Sequence, residues 1–292
     1  MQAATAAEPM PATWCEIVRR NVARHGLLVM GVDPLRERVP DAFDGEEFWL
    51  RTYLDVIIEE AADQVGFVKF QSAYYEALGL KGLQALSEAM AKARALGLGV
   101  ILDAKRGDIG ATAVAYAQAF LSPGADFEAD CLTINPFMGP DTLAPFVEAA
   151  VSYGKGLFIL CRTSNHDAGW LQDRLTGNRT IAELCAELIG DLAAQHRDAQ
   201  GLSPIGAVVG ATIASEAAKL RRRLPDSIIL APGLGAQGGD PGQLSALKGA
   251  APHQLLIPIS RGLLAVDDRT LSGADYLDGV RGRLTTFRKA LA

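Results

Sequence analysis

Apolar residues fall into short uninterrupted runs separated by longer stretches of helical period. The runs are Leu27–Val32, Gly66–Phe70, Gly99–Leu102, Cys131–Ile134, Leu157–Leu160, Gly206–Gly210, Ser227–Leu230 and Gln254–Ile259. Each has strand length and is predominantly apolar without strict alternation, the pattern of a strand covered on both faces. Between them, Glu47 to Gln64, Lys81 to Leu96, Pro140 to Val151, Thr180 to Ala199 and Ala214 to Arg223 carry a helical period. Buried strands alternating with helices predict a parallel α/β sheet, and eight such units fit a closed (β/α)8 TIM barrel. A doubly wound open sheet is the alternative, because strand number alone does not establish closure.

The longest interval, Asn165 to about Ser203, follows the fifth run and reads as an insertion carrying an extra helix or a mobile loop. No composition break divides the chain, so residues 13–292 are expected to form one barrel domain behind a disordered N-terminal tail, residues 1–12. The tail is Ala-rich, without the basic start and apolar stretch of a secretion signal. No long apolar span follows, and a cytoplasmic location is expected. Cys15, Cys131, Cys161 and Cys185 are widely spaced, which suits free buried thiols better than disulfides or a metal site. A formal charge of −6 argues against general nucleic-acid binding yet leaves room for a local anion pocket. His25, His166, His196 and His253 have no metal-ligand spacing, and no nucleotide P-loop is present.

Charge gathers where barrel enzymes place their chemistry, at the C-terminal ends of the strands. The first run ends in Asp33, the second contains Lys69 and is followed by Gln71, and the third runs into Asp103-Ala104-Lys105-Arg106-Gly107-Asp108. Side chains at i and i+2 of a strand share a face, so Asp103 and Lys105 point the same way, with Asp108 in the following loop. A lysine among carboxylates stays protonated, which suits a proton donor or an electrostatic device better than a Schiff-base amine. Structural ion pairing explains any one of these residues, but five charges at successive strand ends describe a site. Opposite them, Gly233-Leu234-Gly235-Ala236-Gln237 follows the seventh run and Ser260-Arg261-Gly262 the eighth. Those are the usual phosphate-binding positions of the fold, with glycine amides and a forked arginine as donors. Arg162-Thr163-Ser164-Asn165 after the fifth run offers hydroxyl and amide groups to a heterocycle, or else forms a turn. Asn135 to Gly139 either walls the pocket or enters a helix.

Taken in order, Gly31-Val32-Asp33-Pro34, Val68-Lys69-Phe70-Gln71, Asp103 to Thr112, Arg162 to Asn165, Ala231 to Asp240 and Ile259-Ser260-Arg261-Gly262 resemble the orotidine 5′-phosphate decarboxylase family, in its longer bacterial (type 2) branch. The resemblance covers nearly the whole chain after the tail. It implies conversion of orotidine 5′-monophosphate to uridine 5′-monophosphate and CO2, the last step of UMP synthesis, without metal or organic cofactor. On that resemblance Lys105 would protonate C6, Asp103 would face the substrate carboxylate, and Lys69 would hold the charged network. Asp33 would contact the ribose. Asp108, with Thr112 nearby, would reach the partner's site across a homodimer interface. Ser164 would read the pyrimidine, while Gln237 and Arg261 would bind phosphate beside Gly233 to Gly235. The chain has His166-Asp167 where the family pattern has Pro-Gly, which leaves the path of that loop open and weakens the Ser164 assignment.

Two other readings compete. A magnesium-dependent sugar-phosphate enzyme of the hexulose-phosphate synthase or keto-gulonate-phosphate decarboxylase kind shares the Asp-x-Lys-x-x-Asp pattern. A non-catalytic phosphate sensor on the same scaffold is the other, since fold alone does not fix function.

Overall fold

The computed structural model describes residues 11–45, 48–211, 214–234 and 241–291. Its strands are β1 (Leu28–Val32), β2 (Phe67–Gln71), β3 (Gly99–Arg106), β4 (Cys131–Ile134), β5 (Gly156–Arg162), β6 (Leu175–Thr176), β7 (Arg179–Thr180), β8 (Ser203–Val209), β9 (Ser227–Leu230) and β10 (Leu255–Ile259). All but β6 and β7 are parallel and close into a barrel in the order β1-β2-β3-β4-β5-β8-β9-β10. Closure removes both sheet edges and settles the choice against an open sheet.

Around the barrel lie α1 (Trp14–His25), α2 (Trp49–Gln64), α3 (Ser72–Glu76), α4 (Gly79–Ala95), α5 (Gly110–Leu121), α6 (Ala144–Ser152), α7 (Gly169–Gln172), α8 (Ile181–Gln195), α9 (Ala214–Arg223), α10 (Arg261–Leu264) and α11 (Gly273–Leu291). The insertion is shorter than the sequence spacing implies. α8 is the barrel's own helix after β5, burying Ala182, Ala186, Ile189 and Ala193, with Thr180 and Glu183 closing a capping box at its start. Only residues 163–180 are added, as a 3-10 turn, α7 and the β6–β7 hairpin. After β9 a 3-10 segment, Pro241–Leu247, stands where a barrel helix is expected, with Leu244 and Leu247 buried. Residues 1–10 of the expected tail lie outside the described residues.

Two apolar layers divide the core. One lies between strands and helices; the other fills the barrel interior with Val29, Phe67, Ile101, Cys131, Phe158, Ile228 and Leu256. The floor of that interior is α1, which the apolar runs do not predict because its sequence is strongly mixed. Thr13 and Glu16 cap it reciprocally. The ring of Trp14, 1% exposed, stands edge-on to Phe67 at 5.9 Å and to Phe158 at 6.1 Å. Gly156 makes room for it, since a Cβ there would lie 2.3 Å from the indole.

Trp14→Ala should therefore lower the unfolding free energy by about 3–5 kcal/mol, the cost of emptying a large aromatic site. Urea denaturation measures it, and a loss below about 1 kcal/mol would mean that the floor collapses without cost or that α1 does not plug the barrel.

Candidate active site

The residues that fill the barrel and those that line its mouth occupy the same positions of the strand repeat. On β2 the inward parity of Phe67 continues to Lys69 and Gln71; on β3 that of Ile101 continues to Asp103; on β4 that of Cys131 continues to Thr133. Gln71 lies directly opposite Asp103 in the register. Apolar side chains thus pack the lower layers, and the last one or two inward positions of β2, β3 and β4 carry charge or hydrogen-bonding groups to the C-terminal face.

Four of the five expected charges meet there. Lys69, 6% exposed, places its Nζ 3.2 Å from Asp103 Oδ2 and 3.7 Å from Asp33 Oδ1. Lys105 Nζ lies 2.6 Å from Asp103 Oδ1, with 43% of its side chain open to the cavity and solvent. The order Asp33–Lys69–Asp103–Lys105 alternates in sign from the buried interior outward. Burial is the largest influence on both inner groups and disfavours their charge. At Lys69 the carboxylates of Asp33 and Asp103 overcome it and raise the pKa. At Asp103 Lys69 and Lys105, with hydrogen bonds from Lys105 and Thr133, overcome it and bring the pKa down to about 2. Both are charged at neutral pH. Asp33 Oδ1 is buried without a hydrogen-bond partner among the described residues and faces Lys69 as an ion pair only.

Lys105 is held in a costly conformation. Its φ is +48°, the left-handed region, and it is the one non-glycine residue with positive φ among the described residues. The β3–β4 register shifts between Leu102 and Arg106, so the strand bulges at this point. Thr133, 1% exposed, supports the bulge: its Oγ1 accepts from the Lys105 backbone N–H at 2.9 Å and donates to Asp103 Oδ1 at 2.9 Å. Gln71 donates to the Asp103 carbonyl at 3.0 Å and accepts from Lys105 Nζ at 3.4 Å. Thr133 escaped sequence reasoning because it sits unremarkably inside an apolar run. Its inward parity with Cys131 was the available signal.

Asp33, Lys69, Gln71, Asp103 and Lys105 line a cavity of about 850 Å³, together with Ser164, Gly233, Arg261 and the apolar Leu160, Val208, Leu230 and Pro232. That size suits a nucleotide-sized ligand. Ser164 has no hydrogen-bond partner for its hydroxyl, and Arg261 no carboxylate partner, among the described residues. Gly233 has φ +109°, a turn that favours glycine. Gly235 and Gln237 lie outside the described residues. Asp108 and Thr112 do not line this chain's cavity. Asp108 accepts from the Ile109 N–H at 2.8 Å just before α5, and Thr112 is exposed in its first turn. Arg162 turns away to Asp173 and Glu216, a structural role. His166 begins a 3-10 turn with its side chain 98% exposed, outside the cavity. Among the described residues no three His, Cys, Asp or Glu side chains are grouped to hold a metal ion.

Comparison with known proteins agrees with this architecture. A protein of Rhodopirellula baltica named orotidine 5′-phosphate decarboxylase is 37% identical over 253 residues, covering 82% of this chain and 84% of its own. Its counterpart in Deinococcus radiodurans is 38% identical over 279 residues, 91% and 97% of the two chains. Among solved structures, one from Streptomyces avermitilis superposes with a TM-score of 0.84 at 31% identity over 99% and 98% of the chains. The OMP decarboxylase of Leishmania donovani does so with 0.73 at 31% over 95% and 99%. Residues 27–275 match the family model for orotidine 5′-phosphate decarboxylase / HUMPS, and the chain belongs to that family.

Proposed function

We propose that this chain decarboxylates orotidine 5′-monophosphate to uridine 5′-monophosphate as the last step of UMP synthesis, with Lys105 as proton donor to C6 and no metal or organic cofactor. The observation that carries the proposal is the alternating chain Asp33–Lys69–Asp103–Lys105, which ends in one cation open to the cavity. When the C6–carboxylate bond breaks, its electron pair stays on C6 and CO2 leaves. The Lys105 ammonium stabilises that developing charge more than it stabilises the ground state, then gives its proton to C6; solvent restores the proton. Asp103, ionised throughout, orients Lys105 beside the departing carboxylate, and Lys69 keeps Asp103 in place. The Asp33 carboxylate at the cavity wall suits a ribose hydroxyl, Ser164 the pyrimidine edge, and Arg261 with Gly233 the phosphate. Gly235 and Gln237 complete the phosphate assignment from the sequence resemblance alone.

Asp108 and Thr112 are assigned to the site of a second subunit in a homodimer. Support comes from their place outside their own cavity and from the apolar surface around them, Ile109 at 62% and Val114 at 42% exposed. Phe137, 77% exposed, lies in the adjacent loop, whose Met138 would be 3.5 Å from a Cβ on Gly107. The four cysteines are free thiols, Cys185 half-buried and the others buried, consistent with a cytoplasmic setting.

Ultraviolet absorbance of orotidine 5′-monophosphate tests the reaction. Turnover should survive a chelator, and Lys105→Ala should lower kcat/KM by roughly a thousandfold or more while product still binds. A folded protein without turnover would sink the proposal, and chelator sensitivity would favour the magnesium-dependent sugar-phosphate reading. Thr133→Val should lower kcat about 10- to 100-fold with little change in KM, because Lys105 loses its backbone anchor. Thr133→Ser should restore most of the rate; a serine variant as poor as valine would remove the positioning role. Mixing Lys105→Ala with Asp108→Ala protein should recover up to about a quarter of wild-type activity through heterodimers that contain one intact site. No recovery under confirmed subunit exchange would assign Asp108 to its own chain.

A further inference from the structure

The opposite, N-terminal face of the barrel holds a second large cavity, of about 780 Å³, which shares no lining residue with the barrel-mouth cavity. It opens where β1 and β10 begin. The last turn of α1 brings Arg24 and His25 to it, the segment before β10 brings Lys248, and the last turns of α11 bring Arg288 and Lys289. Among the described residues no carboxylate lines it. Among the described residues none of Arg24, Lys248, Arg288 and Lys289 has a carboxylate within ion-pair distance, and Arg288 finds only the Gln64 amide oxygen, at 3.5 Å.

Helix ends alone do not explain this charge. α1 and α11 both finish here, and each C-terminus presents about half a negative charge, so the two offset roughly one of four permanent cations. About three positive charges remain focused in a concavity of a protein whose net charge is −6. The strain falls on His25, whose pKa is lowered by burial and then by Arg24 and Arg288, with Asp63 opposing as the weakest influence. An anion seated among these groups relieves their mutual repulsion. Leu27 and Leu28 give the cavity an apolar wall beside the cations, which suits a ligand with a non-polar body as well as charge.

We propose that this cavity is a binding site for a small molecule bearing two or more phosphate charges, separate from the barrel-mouth cavity. The ligand's charge is met by the forked guanidiniums of Arg24 and Arg288 and by the two lysines, and binding raises the pKa of His25 by supplying the missing counter-charge. The shared chemistry is a diphosphate group, carried either by a nucleotide or by free pyrophosphate.

Calorimetric titration of inorganic pyrophosphate and of adenosine 5′-diphosphate into full-length Arg261→Ala protein tests it, since that background removes the phosphate arginine of the barrel mouth and needs no turnover. One site per chain is expected, weakening at least about tenfold when Arg24→Ser and Arg288→Ser are added. Net proton uptake on binding at pH 6.5 should be smaller with His25→Gln, the difference between the two proteins separating the histidine's share from the protons exchanged by the phosphate itself. Tighter binding of the nucleotide than of pyrophosphate identifies a nucleotide ligand, and equal binding a free diphosphate; either supports the site. Absence of binding by both probes at millimolar concentration overturns it, as does binding unchanged in the double serine variant with its thermal transition intact.

Discussion

A buried lysine between two aspartates is the constraint on which the barrel mouth depends. Lys69 stands on the inward face of β2, where water is excluded, and its ammonium survives there only because Asp33 and Asp103 face it. Asp103 in turn is kept ionised by Lys69 and Lys105. Each charge is tolerable because of the next, and removal of one partner from such a pair costs about 3–5 kcal/mol by stranding the other. The chain of compensation ends at Lys105, where the last cation meets the cavity instead of a further carboxylate. Electrostatic preorganisation is the consequence: an ammonium fixed in place before substrate arrives requires no reorientation when charge develops opposite it.

Fixing that ammonium also requires backbone strain. A lysine with φ +48° costs about 1–3 kcal/mol, and the bulge in β3 interrupts the regular ladder to β4. Thr133 replaces the lost backbone partner with its side chain and spends the same hydroxyl on Asp103. One buried oxygen therefore couples the backbone of Lys105 to the carboxylate that holds its ammonium. Gln71 repeats the arrangement from the other neighbouring strand, holding the Asp103 carbonyl and touching the Lys105 ammonium.

Much of this was readable from the chain because strand periodicity is rigid. Once Gly99–Leu102 is taken as a strand, the i, i+2 rule places Asp103 and Lys105 on one face, and β3 indeed continues through Arg106. The barrel itself follows from uninterrupted apolar runs, which only strands covered on both faces require. Other features were illegible for equally physical reasons. α1 buries its aromatic face against the barrel floor yet presents Arg19, Arg20 and Arg24 elsewhere, so its mean hydropathy hides it. α8 read as part of an insertion because sequence distance after β5 does not reveal that the hairpin β6–β7 occupies only its beginning. Arg162 looked like ligand chemistry, whereas Asp173, brought close by α7, makes it a brace. Asp108 belongs to the same motif as Asp103 and Lys105, yet the loop after β3 carries its side chain outside this chain's cavity.

The division of labour along each strand explains how one barrel carries both stability and chemistry. Phe67, Ile101, Cys131 and Phe158, closed below by Trp14, form a dry layer whose burial drives folding without any polar partner. Lys69, Asp103 and Thr133 occupy the following inward positions, where a buried ion pair contributes little net stability compared with well-packed apolar residues of the same volume. Had stability been the only demand, the inward parity could have stayed apolar to the rim. Its switch to charged and hydrogen-bonding groups near the rim of β2, β3 and β4, with the strained Lys105 beside them, is intelligible as the cost of holding a cation ready at the cavity.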